Sequence, residues 1–223
     1  MTITLRIDIE QKRAELKGQT LQKTSPANGK RCQATAESVF NLARKHWLMG
    51  KRINIADIAK DAGVSRITLY RWFGNRDQLI EDILWSIAGP EFQRLIRDTP
   101  GTGIDHIINV HRSFMIGIAR LEPLRQFIIN NPTEIISCST TDPKSSHGRH
   151  TRAVEAHLLD QAARGYIRLP ISACKLAETI VYTNAVLLYS AIIGGHSLSV
   201  IELACAIDRA ILVSGIPDDP TIF

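Results

Sequence analysis

The twenty residues from Asn54 to Phe73 constrain this chain more tightly than any other stretch. Asn54 can cap free backbone N–H groups at the head of a short helix in which Ile55, Ile58, Ala59 and Ala62 face inward. Gly63 supplies the left-handed residue that a tight turn between helices needs. Ser65 caps a second short helix, with Val64, Leu69 and Phe73 on its core side, and Gly74 stops it. Two short helices joined by a four-residue turn containing glycine make a helix-turn-helix. Asn75-Arg76-Asp77-Gln78 then approximates a capping box and opens a longer helix carrying Leu79, Ile80, Ile83 and Leu84.

The rest of the chain reads as helices. Residues 1–24 are polar and weakly patterned, an arm or a short extra helix. Ser25-Pro26 makes a helix start, and Ala36, Phe40, Ala43 and Trp47 continue it as one apolar stripe ending at Gly50. Gly89-Pro90 reads as an interruption or kink, and Pro100-Gly101-Thr102-Gly103 as a turn. Helices are expected over about 104–121, from Pro123, from Pro132, and over about 149–165, 172–193 and 199–214. Residues 137–148 form the longest loop, polar enough to stay disordered. With no run of strand-like alternation, the expected class is all-α. The expected organisation is an arm (1–24), a three-helix head with the helix-turn-helix (25–85) and a helical body (86–223).

Charge supports that division. Residues 1–85 hold 15 Lys+Arg against 9 Asp+Glu, a net of +6; residues 86–223 hold 12 against 13, a net of −1. A basic head on a neutral body is what a polyanion-binding domain joined to a sensing or scaffolding domain presents. Cys32, Cys138, Cys174 and Cys205 are scattered without a CxxC pair, and read as small buried hydrophobes in a reducing compartment. No secretion signal is visible at the N-terminus, so the expected location is the cytoplasm. Thr179–Ile201 is uncharged and long enough to span a bilayer. It also holds Thr183, Asn184, Ser190, Gly194, Gly195, His196, Ser197 and Ser199, and lacks a basic flank. A buried helix pair broken at Gly194-Gly195 fits it better than a membrane span.

The block from Ile53 to Leu79 resembles the DNA-binding signature of the TetR family. There a short helix ending in Ala-Gly-Val leads through Ser into Leu-Tyr-x-x-Phe and then a basic residue. Here the elements stand as Asp57–Val64, Ser65, Leu69-Tyr70-Arg71-Trp72-Phe73, and Arg76 followed by Leu79. With the helix before it, the resemblance covers about 50 residues, from the first amphipathic helix to the start of the fourth. It implies a three-helix DNA-binding head and a helical body that binds an effector and dimerises through its last two helices. By position, it puts DNA contacts on Arg66, Ile67, Thr68 and Tyr70. The physical reading runs parallel: Ser65 opens a recognition helix whose first turns enter the major groove. Arg66 suits a guanine, Ile67 a thymine methyl, and the Thr68 and Tyr70 hydroxyls suit phosphate, with Thr68 also able to meet a base edge. Lys51, Arg52 and Arg76 flank the motif and neutralise backbone charge. Arg76 replaces the usual Lys, and Trp72 stands where Tyr or His is common, either as a phosphate donor or as core.

Residues 174–193 are apolar around most of the helix. Leu176, Ile180, Leu187 and Ala191 lie on one side, and Tyr182, Ala185, Val186 and Tyr189 on another. A monomer's core covers only one side, so a homodimer is expected to cover the other with a four-helix interface. His111, Phe114, Met115, Phe127, Tyr182 and Asn184 are polar or aromatic groups on otherwise apolar helices, and are the candidate lining of an effector pocket. That composition suits an amphipathic, weakly charged or uncharged organic molecule. The body also bears a resemblance to the QsdR group, which implies an acyl-homoserine lactone or γ-lactone as effector.

Other chemistries lack parts. Gly195-His196-Ser197-Leu198-Ser199 imitates a nucleophile elbow, but no histidine follows it to serve as base, and no parallel sheet is expected to carry it. His147 and His150, placed in a polar loop, and His106 with His111, lack further ligands in metal spacing. No phosphate-cradling glycine motif implies a nucleotide cofactor. The expectation is a DNA-binding regulator without catalytic residues, metal or cofactor, whose partners are a double-stranded operator, a second copy and a small molecule, with no membrane. The alternative is a helix-turn-helix protein governed by protein partners alone.

Overall fold

The computed structural model describes residues 34–133, 135, 144–195 and 199–214. Among these residues nine α-helices are defined and no strand: α1 (Ala36–Leu48), α2 (Ile55–Ala62), α3 (Arg66–Phe73), α4 (Arg76–Asp98), α5 (Gly103–Arg120), α6 (Glu122–Asn130), α7 (Ser146–Ala163), α8 (Ala173–Gly194) and α9 (Val200–Ser214). The all-α expectation therefore holds. The chain divides into two compact units, one ending at Ser86 and the other beginning at Ile87.

In the first unit, local chemistry sets each helix end. Thr35 caps α1 by accepting from Ser38 N, and the Ser38 hydroxyl accepts in turn from Thr35 N. Asn54 Oδ1 accepts from Ala56 N at 2.7 Å to open α2. Gly63 closes α2 at φ 67°, ψ 31°, a left-handed conformation that costs an L side chain steric energy. The helices then bury one apolar face each. Val39, Ala43 and Trp47 of α1 are buried, as are Ile55, Ile58 and Ala59 of α2, Leu69, Trp72 and Phe73 of α3, and Leu79, Ile80 and Ile83 of α4. Phe40 and Phe73 bring their rings to 6.3 Å. Polar ties hold the frame: Arg44 Nε donates to Ser86 Oγ (3.1 Å) and Arg76 Nε to the Ile53 carbonyl (3.0 Å).

In the second unit α8 is the central element, packing against α5, α6, α7 and α9. It is apolar and long enough to cross a membrane by length and composition. Its place is nevertheless the middle of a helical body, where Leu176, Ala177, Ile180, Val181, Leu188 and Ile192 are buried. Helix α9 lies on α5 and is bound to it at its ends by the Arg112–Glu202 pair and by Arg209 with Asp105 (2.6 Å). Gly103 begins α5 at φ 71°, where its N–H donates to the buried Gln161 Oε1 at 2.8 Å. A Cβ there would stand 3.1 Å from the Tyr166 carbonyl oxygen, so glycine is required twice over.

Several sequence expectations change. The Ser25-Pro26 start and the 1–24 arm lie outside the described residues; the cap seen on α1 is Thr35. Pro90 does not interrupt its helix but sits inside α4, exposed, with burial of Phe92 and Leu95 beyond it sustaining the helix past one missing N–H. Of the expected loop 137–148, residues 137–143 lie outside the described residues. Ser145 caps α7, so residues 146–148 are already helical and His147 and His150 belong to a helix rather than a polar loop. Only Pro132, Thr133 and Ile135 of the helix expected from Pro132 are described, and they are helical. Cys205 is buried as expected, whereas Cys174 is exposed; Cys32 and Cys138 lie outside the described residues. Ala191–Ile193, which an esterase elbow needs as strand, is the last turn of α8.

Candidate nucleic-acid interface and buried polar cluster

Ser65 sets the entrance of α3. Its Oγ accepts from Thr68 N at 3.1 Å and lies 2.9 Å from the Thr68 hydroxyl, so Thr68 takes part in the cap before it meets any other group. With Leu69, Trp72 and Phe73 turned into the core, the opposite face presents Arg66, Ile67, Tyr70 and Arg71. Ile67 is 79% exposed and Tyr70 51%. Such exposure of a β-branched residue in the first turn of a helix has no packing explanation inside this unit. Lys51 and Arg52 are exposed just before α2, and Lys60 on α2.

Of the two readings open for Trp72, the core one matches its burial, and Arg76 is engaged within the unit. Trp72 is 5% exposed and meets Phe73 edge-on at 6.1 Å, so it supports α3 from behind and has little surface for a phosphate. Arg76 is partly buried and spends its guanidinium on Ile53 and on Asp77 (3.1 Å). Its role is to fix the start of α4 against the segment before α2. Arg71, one helical turn beyond Ile67, joins the exposed face and was missed because the family pattern leaves its position unspecified.

The second unit gathers polar groups in its interior. Asp208 of α9 is fully buried; its Oδ2 accepts from Asn184 Nδ2 of α8 at 2.9 Å and lies 3.3 Å from His111 Nδ1 of α5. His111 stands against Phe92 (ring centroids 5.9 Å), which also meets Phe114 (5.2 Å), His150 (4.8 Å) and His157 (6.4 Å); His106 lies 5.1 Å from His157. Burial, with His111 and His106 nearby, holds His157 down to about 3. Burial, with His111 and His147 nearby, holds His150 well below the ordinary imidazole value. Both rings are neutral near pH 7, each offering one N–H and one lone pair.

His111, Phe114 and Asn184, three of the six candidate pocket residues, thus share one cluster. Met115 is buried next to Phe114 in the chain, and Phe127 is half-buried on α6. Tyr182 falls outside the cluster, 58% exposed on α8, because residue 184 takes the inward position two residues later. Sequence reasoning missed Phe92, His157 and Asp208. The signal for Asp208 was present, a lone carboxylate among Ala204, Cys205, Ala206, Ile207 and Leu212 of the last helix. Among the described residues no group of three or more His, Cys, Asp or Glu is arranged to hold a metal ion.

Residues 51–83 match the family described as bacterial regulatory proteins, tetR family, and residues 102–212 match the tetracyclin repressor-like C-terminal domain. No curated protein matches the chain. Among solved structures, the transcriptional repressor QsdR of R. erythropolis is similar at 24% identity and a TM-score of 0.72, over 82% of this chain and 96% of that one. The fatty acid degradation regulator FadR of Bacillus halodurans is similar at 11% identity and a TM-score of 0.51, over 86% and 97%. The repressor AlkX of Dietzia sp. strain DQ12-45-1b, implicated in biodegradation of n-alkanes, is similar at 24% identity and a TM-score of 0.51, over 78% and 91%. At these identities the structures bear on fold; the two matched segments, in order along one chain, bear on family. A capped helix-turn-helix followed by a helical body, each matched by its own domain of one family, makes this chain a member of the TetR family of DNA-binding bacterial regulators.

Proposed function

We propose that the protein is a dimeric repressor that holds a roughly palindromic operator and leaves it when a small amphipathic effector enters the C-terminal unit. The observation that carries the DNA reading is the outward face of α3, where Arg66, Ile67, Tyr70 and Arg71 stand exposed on a helix pinned from behind by Leu69 and Trp72. Arg66 supplies a bidentate donor for guanine and Ile67 a methyl-sized contact for thymine. Tyr70, Arg71, Lys51 and Arg52, all exposed, would meet phosphates, and Ser65 and Thr68 order the helix entrance. Two copies present two such helices about one DNA turn apart.

Dimerisation draws support from α8 and α9. Tyr182, Val186 and Ile193 recur on one face of α8 while remaining exposed, and Leu203 and Val213 are exposed on α9. Large apolar groups gathered on neighbouring helices call for a covering partner, and a second copy supplies the same surface. For the effector, the aromatic and imidazole cluster around Phe92 favours an amphipathic molecule. The resemblance to the QsdR group favours an acyl-homoserine lactone or γ-lactone. Effector binding then biases the dimer toward a spacing of its recognition helices that no longer fits successive grooves. The shift is bounded by the effector's differential affinity for the two states.

The test is a footprint of the purified protein on the intergenic DNA beside its own gene. A protected stretch with dyad symmetry, lost on adding effector, supports the reading. Uniform weak protection contradicts it.

A further inference from the structure

We propose that Asp208, His111 and Asn184 clamp the head group of an uncharged ligand that brings its own N–H donor, which makes the effector an acyl amide rather than a carboxylate or a donorless ester. The inference rests on the effector reading above and narrows it. Asp208, His111 and Asn184 are all more than nine-tenths buried, and they come from three different helices. Both internal contacts of the carboxylate fall on one oxygen, Oδ2. Among the described residues Asp208 Oδ1 and Asn184 Oδ1 have no hydrogen-bond partner, and neither does His111 Nε2. A buried acceptor left without a donor has lost its water without compensation, so two acceptors in one cluster favour whatever supplies an N–H.

The surroundings define the remainder of the ligand. Phe92 lies tilted against His111 and edge-on to His150, an apolar and aromatic neighbourhood suited to the start of an acyl chain. His150 and His157, kept neutral by burial, can each donate one N–H to a ligand carbonyl. The nearest cation on this side, Arg112, reaches the Cys205 thiol with a buried Nε but is paired with Glu202, so the carboxylate hydrogen-bonded within the cluster is that of Asp208. A ligand carboxylate would be set against Asp208, with Arg112 already committed to Glu202, and two like charges in a low-dielectric interior repel strongly. The site thus selects for donors and against anions.

The experiment uses the full-length protein and three probes of equal chain length: N-octanoyl-homoserine lactone, its ester counterpart with oxygen in place of the N–H, and octanoate. Dissociation constants are measured by calorimetry for wild type and Asp208→Asn, with operator binding titrated in the same preparations. The expected result is that wild type binds the amide about tenfold or more tighter than the ester, and octanoate least. Asp208→Asn, which replaces an acceptor by a donor at the same size, brings the amide-to-ester ratio towards one. Equal affinity for amide and ester in wild type, preference for octanoate, or no binding of the amide overturns the clamp. The wild-type comparison decides the matter even if the variant fails to fold. Operator binding that survives such a result leaves the regulator reading standing, while its absence contradicts that reading separately.

Discussion

Tyr70 and Trp72 sit two positions apart on α3, and burial gives them opposite duties: one faces solvent at 51% exposure, the other is core at 5%. Trp72→Ala is accordingly expected to destabilise the head by about 3–5 kcal/mol, read as an earlier urea transition, because it empties a packed indole site. Arg66→Ala leaves folding unchanged and weakens operator binding by about 10- to 100-fold, the 1–3 kcal/mol of a bidentate guanine contact, with much less effect on an unrelated duplex. The buried imidazoles make a third prediction. With His157 held to about 3 and His150 well below its ordinary value, the folded protein refuses protons that the unfolded chain accepts below about pH 6.5. Stability is flat above pH 7 from these groups and falls as pH drops, with His157 alone contributing about 2 kcal/mol of loss between pH 7 and 5 and His150 adding in the same direction. Urea unfolding across that range checks it, and His157→Phe is expected to make the fall shallower. Burial of this kind was hard to foresee. A histidine in sequence is as ready for a surface as for a core, and only the convergence of α4, α5 and α7 puts Phe92 among four rings.

At the scale of elements, legibility tracked how local the physics is. Asn54, Gly63 and Ser65 act within a few residues of themselves, so α2, the turn and α3 were readable to within a residue. Pro90 misled because proline's missing N–H is a local signal, whereas the packing that carries α4 across it comes from elsewhere in the fold. The same holds for Ser145, whose capping role appears only once residues 146–148 are seen as helix. Gly103 unites a local and a distant constraint, a φ of 71° and the Tyr166 carbonyl 3.1 Å from any Cβ. Gly103→Ala is therefore expected to cost about 1–3 kcal/mol, more than an alanine in an open left-handed turn, as seen in the thermal midpoint. Gly63→Ala, with nothing within 4 Å of the added Cβ, should sit at the lower end of that range.

At the scale of the molecule, the charge division was legible without coordinates, since +6 on residues 1–85 against −1 on the remainder already separates a phosphate-seeking head from a neutral body. The apolar circumference of α8 was legible too, but its division into a buried stripe with Leu176 and Ile180 and an exposed one with Tyr182 and Val186 required the fold. Val186→Glu on that exposed stripe is expected to convert the dimer to monomer in sedimentation, and with it to lower operator affinity, since each head alone makes half the contacts. The claim on which everything else depends is that the exposed face of α3 reads sequence. It is tested most directly by titrating the protein, at two salt concentrations, into labelled intergenic DNA from beside its own gene and into an unrelated duplex, with Arg66→Ala alongside. Tight, salt-sensitive binding that prefers the intergenic DNA and loses that preference in Arg66→Ala is the expected result. Equal weak binding to both duplexes, unchanged by the substitution, would contradict the account.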